Sequence, residues 1–86
     1  MKNPKKEILE KHCYTELVYK RINKKLKINL NKIEVESLIK NVLQETDLSN
    51  YIKKGKNFYV TNINSNIMIT VNSNTFRIIT VDKIKT

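Results

Sequence analysis

The sequence predicts an α+β fold: two N-terminal antiparallel helices packed on one face of a three- to four-stranded antiparallel sheet. Three observations predict it. Apolar residues recur at helical spacing through the first half. β-Branched and aromatic runs, separated by Asn/Ser clusters, fill the second half. A single Gly and a single Pro in 86 residues leave no linker between the halves, so one domain over residues 1–86 is expected.

The first helix is expected over about residues 5–25, with residues 1–3 frayed. Pro4 suits a first helical turn, where its missing N–H costs nothing. Ile8, Leu9, Cys13, Leu17, Val18, Ile22 and Leu26 then fall at steps that make one stripe. The second helix is expected over 32–45. Asn31 can cap it, Glu34 stands at its third position, and Leu30 and Val35 can form a hydrophobic staple. Val35, Leu38, Ile39, Val42 and Leu43 give its apolar face, and Glu36 and Lys40 an i,i+4 ion pair. Asp47-Leu48-Ser49-Asn50 breaks the period.

Strands are expected at about 57–62, 67–72 and 75–83, with a short fourth near Tyr51 and Ile52. A two-residue hairpin at Ser73-Asn74 sets Val71 opposite Phe76, Ile69 opposite Ile78 and Ile67 opposite Thr80, on a side that should cover the helices. The other side carries Tyr59, Thr61, Met68, Thr70, Arg77 and Ile79.

Charge narrows the partners. Seventeen Lys and Arg against eight Asp and Glu give +9, and 15 of the 17 cations are Lys. An AT-rich codon bias explains abundant Lys, Asn and Ile but not the shortage of acids. The excess favours a polyanion, with RNA before DNA. Membrane binding is not expected, because neither helix sets a Lys-rich face opposite a Trp/Phe-rich one. One cysteine forms no internal disulfide, and no apolar leader opens the chain, which fits a cytoplasmic protein. One His and one Cys build no metal site, and no cofactor motif is visible.

The candidate nucleic-acid ligands are Lys53, Lys54 and Lys56 around the only glycine, Arg77 and Thr70 on the outer face, and Tyr59, whose ring could stack a base. A solvated turn accounts equally for the Lys53–Lys56 cluster. The candidate catalytic residues are Arg77, Tyr59 and His12. His12 has the right intrinsic pKa for proton transfer, and Glu16 four residues on could orient it. Three readings stay open: a metal-independent endoribonuclease (a toxin or mobile-element effector), a non-catalytic RNA- or DNA-binding module, and a protein-interaction module of inhibitor or antitoxin type that uses Met68 and Ile79.

Three stretches, residues 12–19 (HCYTELVY), 54–62 (KGKNFYVTN) and 72–82 (NSNTFRIITVD), resemble a family of short bacterial proteins of unknown function. More loosely, two helices followed by an antiparallel sheet is similar to the barnase–EndoU–colicin–RelE group of small ribonucleases. That second resemblance implies that Lys54 and Lys56 hold phosphate. It also implies that Arg77 stabilises the charged transition state, and that Tyr59 stacks a base or assists proton transfer.

Overall fold

The computed structural model describes residues 3–84. The order of elements is α1 (Pro4–Lys11), α2 (Glu16–Leu26), α3 (Lys32–Glu45), a 3₁₀ turn (Leu48–Asn50), then β1 (Tyr51–Lys54), β2 (Asn57–Asn62), β3 (Ile67–Asn72) and β4 (Ile78–Lys83). The α+β class and the strand near Tyr51 are as expected. The strands form one antiparallel sheet in chain order, β1-β2-β3-β4.

The single helix expected over 5–25 is two helices. His12 to Thr15 leave the helical path because the backbone has better partners on the sheet. Cys13 N–H donates to the Phe76 carbonyl and Ile78 N–H donates to the Cys13 carbonyl, both at 2.9 Å, a parallel bridge between Cys13 and Arg77. His12 caps α1, its N–H donating to the Ile8 carbonyl at 2.9 Å. The break shifts the phase of the stripe. Ile8, Val18, Ile22 and Leu26 stay buried, whereas Leu17 is 72% exposed and Cys13 faces solvent.

Asn3 accepts from Lys6 N–H and caps α1. Met1 and Lys2, also expected to fray, lie outside the described residues. At α3 the capping box forms as expected: Asn31 accepts from Glu34 N–H at 2.8 Å, and Glu34 accepts from Asn31 N–H at 3.1 Å. Leu30 and Val35 both join the core. Asn23 ties the intervening connection to α2 through both its amide groups, which bond the N–H and C=O of Leu30.

The β3–β4 register differs from the expected one. Val71 pairs with Ile78, Thr70 with Thr80, Ile69 with Val81 and Ile67 with Lys83, with a bulge between Thr70 and Val71 that leaves Ile79 over. The loop is longer than two residues. Asn72 Oδ1 accepts from Asn74 and Thr75 N–H, at 2.8 and 2.9 Å, and winds the chain into a turn. Phe76 then sits at φ 59°, a left-handed conformation that bulky residues seldom adopt. Residues 75–77 therefore belong to the loop, and β4 starts at Ile78. Thr80 pairs on the outer side with Thr70, not on the core side with Ile67.

Alternation along the paired strands sorts the sheet. Tyr51, Val60, Ile69, Val71, Ile78 and Val81 are buried and share one apolar core with Ile8, Val18, Ile22, Leu26, Val35, Ile39, Val42 and Leu43 of the helices. A polar contact is built into this core: Asn62 Nδ2 donates to Thr46 Oγ1 at 3.0 Å, and Thr46 Oγ1 donates to the Val42 carbonyl at 2.6 Å. The opposite side shows three cross-strand rows. Ile52, Tyr59, Thr70 and Thr80 form the middle one. Lys54, Asn57 and Asn72 lie toward one end, and Thr61, Met68 and Asp82 toward the other.

Candidate functional site

The sheet's loop end gathers part of the expected nucleic-acid set. Gly55 takes φ 63° at the first position of a two-residue turn, a conformation that favours glycine. This turn is stitched to the β3–β4 loop: Ser73 N–H and Oγ–H both donate to the Lys56 carbonyl at 2.8 Å. The basic turn and the Arg77 loop are thereby neighbours. Arg77 is exposed, but it stands in the loop rather than mid-strand.

The three adjacent lysines do not act together. Lys53 pairs with Phe58 on the core side and lines a hollow with Glu7 and Phe76. Lys54 pairs with Asn57 on the opposite side, and Lys56 is exposed in the turn. Thr70 lies on the outer side as expected, yet is only 6% exposed, shielded within its row. Tyr59, half-buried, pairs with Thr70 in the same row.

The three candidate catalytic residues are not gathered. Cys13 is bridged to Arg77, so His12 lies next to the Arg77 loop. Tyr59 belongs to β2. Three strand-to-strand steps of about 4.8 Å separate that strand from the His12 segment, roughly 14 Å. The His12 side chain lines the helix cleft with Tyr14 and Tyr19, whereas Tyr59 stands in the sheet's outer row, so the two belong to different surfaces. His12 is also not oriented by Glu16. Its Nδ1 lies 2.7 Å from the Ile8 carbonyl. A carbonyl only accepts, so Nδ1 is the donor of this bond and Nε2 is the ring nitrogen left for other partners. Glu16 instead takes Lys32 Nζ at 2.8 Å.

His12 opens into a cleft of about 590 Å³ between α1, the 12–15 segment and α3. Its walls include Glu10, Cys13, Tyr14, Tyr19, Glu36 and Lys40. The Tyr14 and Tyr19 rings stack at 5.5 Å, with His12 edge-on to Tyr14 at 5.4 Å. Tyr19 donates to Glu36 at 2.8 Å, which replaces the expected Glu36–Lys40 pair. Burial, the bond to Glu36 and the charges of Glu36 and Glu16 push the Tyr19 hydroxyl up to about 12. Burial first, then the Glu36 charge, raises Tyr14 as well. Among the described residues, no three His, Cys, Asp or Glu converge to hold a metal ion.

A second basic region lies outside the expected set. Lys20, Arg21, Lys24 and Lys25 line a furrow of about 550 Å³ on α2. Their i, i+1, i+4, i+5 spacing makes two rows along one flank of α2, with Arg21 and Lys25 beside the buried stripe of Val18, Ile22 and Leu26 and Lys20 and Lys24 farther from it. Helical periodicity does give this signal, since a Lys-rich flank is the complement of the apolar stripe. The apolar side of α2 holds Val18, Ile22 and Leu26 and no Trp or Phe, unlike a membrane-surface helix. The apolar side is buried in the core. Two contacts bind the flank to β4: Arg21 donates to the Ile79 carbonyl at 3.1 Å, and Lys25 reaches Asp82 at 3.2 Å.

Fold and site together define a small α+β protein with a cation-lined furrow on α2 and a separate cleft walled by His12, tyrosines and Glu36. The chain belongs to the family described as "Protein of unknown function (DUF3781)", whose model matches residues 6–82 and so takes in all three stretches singled out above. No curated protein and no solved structure matches the chain. The likeness to small ribonucleases thus has no matched structure behind it. Among the described residues, no helix is long and apolar enough to cross a membrane.

Proposed function

We propose that the protein is a basic nucleic-acid-binding module, RNA before DNA, that holds its ligand without cutting it. One observation carries the reading: the furrow on α2, lined by four cations and fastened to β4. Long cationic side chains held along one element neutralise phosphates and release counterions. The Arg21 guanidinium is already oriented by the Ile79 carbonyl, which lowers the ordering cost of a phosphate contact. The reading takes the helices to cover one face of the sheet and leave the other to the ligand. Lys54, Lys56 and Arg77 then supply a second cationic margin at the loop end. The separation of Tyr59 from His12 leaves cleavage without a gathered set of groups.

The test is anisotropy of a labelled RNA against salt, with a denaturing gel in EDTA alongside. Binding that weakens linearly on a log–log salt plot, with RNA left intact, is the expected outcome. No affinity at low salt overturns the reading in favour of a protein-interaction module. Discrete fragments that disappear in Arg77→Ala overturn it in favour of a ribonuclease.

A further inference from the structure

We propose that the ligand is single-stranded and crosses the four strands from the α2 furrow toward Lys54, with Tyr59 as the platform on which a base stacks. The inference rests on the nucleic-acid reading and names the form of the ligand.

The first support is the chemistry of the outer side. Its one carboxylate, Asp82, is held by Lys25 at 3.2 Å. The acids of the cleft, Glu10 and Glu36, belong to the helices instead. A backbone laid across the strands therefore meets no free carboxylate among the three outer rows. It meets Thr61 and Asn57, which can bond bases or sugar, on either side of the middle row.

The second support is the position of Tyr59, the one aromatic residue among those rows. Tyr51 and Phe58 join the core, Tyr14 and Tyr19 wall the cleft, and Phe76 carries Lys11 over its ring at 5.4 Å. Tyr59 sits between Ile52 and Thr70 with cations on both margins: α2 beside β4, and Lys54 on β1. An aromatic ring within a cationic track matches single strands, whose unstacked bases offer a free face.

The third support is width. Three strand spacings make the face about 14 Å across. The major groove of B-DNA, about 12 Å wide, admits a helix or a two-stranded ribbon and not a four-stranded sheet, and that of an A-form RNA duplex is narrower still. A duplex would rest on the marginal cations and leave Tyr59 without a partner.

The experiment compares one labelled single-stranded RNA with the same RNA annealed to its complement, using the full chain, Tyr59→Ala and Tyr59→Phe. The single strand is expected to bind at least about tenfold more tightly. Tyr59→Ala should lower its affinity roughly 5- to 150-fold, the range for loss of one stacked base, and leave the duplex unaffected. Tyr59→Phe keeps the ring and should keep the affinity, which separates stacking from loss of fold. Equal binding of both forms overturns the inference while the nucleic-acid reading stands. So does a Phe variant as weak as the Ala variant, because stacking needs only the ring. Binding of neither form sinks the nucleic-acid reading itself.

Discussion

The α2–sheet side and the helix cleft differ in the charges that line them. On the first, four cations line one flank and the one outer-row acid is already paired. In the second, Glu10 and Glu36 outnumber Lys40, and stacked tyrosines replace the Thr and Asn of the sheet. A net charge of +9 says only that cations are in excess. On the nucleic-acid reading proposed above, the α2 flank is where a polyanion would be drawn. The cleft contains the sole histidine, and the outer rows of the sheet contain Tyr59.

The largest way to break the comparison acts on both sides together. Ile69 is fully buried in the core that helices and sheet share. Ile69→Ala should cost about 2–5 kcal/mol in urea unfolding, with cleft and sheet lost in one transition. Two separate transitions would mean that the sides are not one cooperative unit. Next comes the charge itself. Lys20→Ala, Arg21→Ala and Lys24→Ala combined should make the salt slope for single-stranded RNA shallower by about 2, at roughly 0.7 per lost phosphate contact. Glu36→Gln in the cleft should leave that slope unchanged. An equal effect from both changes would dissolve the difference.

Smaller effects sharpen it. Asn31→Ala removes the cap of α3 and should cost about 1 kcal/mol in thermal or urea unfolding, with RNA affinity intact. The cleft also has a pH signature. Tyr19 is pushed up to about 12 from the ordinary 10. A folded value above the unfolded one means a contribution to stability that is complete below about pH 10. It is lost as the pH rises from 10 through 12. Tyrosinate absorbance should therefore appear at higher pH in the folded protein than in the urea-unfolded chain. Coincident curves would contradict the burial and the Glu36 bond at Tyr19.

Legibility in the sequence followed the range of the forces. The α3 cap was readable because Asn31 and Glu34 satisfy each other within one turn. The strands β2 and β3 were readable because alternation is local. The break at residues 12–15 was not, since its cause is a pair of hydrogen bonds to residues 76 and 78. The β3–β4 register was misplaced for a related reason. Left-handed positions usually announce themselves as glycine, and here Lys27, Asn66 and Phe76 occupy them. Asn62 closes β2 as expected, but the burial of its amide against Thr46 left no local signal. At the candidate site, the sequence showed Lys54, Lys56, Arg77 and Tyr59 as residue types but not their separation into loop, turn and outer row. The α2 flank was missed because a cationic face looks like ordinary solvation until a strand is found beside it.

The bridge from Cys13 to the start of β4 sets an order of events during synthesis. The Cys13 thiol and its acceptor, the Thr75 carbonyl, are 62 residues apart in the chain. At about 5–20 residues per second, the N-terminal segment waits roughly 3–12 s for its partner to be made. During that interval α1 and α2 have no β4 to settle against, and Ile8, Val18 and Ile22 remain uncovered on the side the sheet will occupy. The segment around Cys13 is thus made well before the strand that fixes its place. A chain stalled before Phe76 would keep those side chains exposed, in a state suited to capture by a chaperone or a protease.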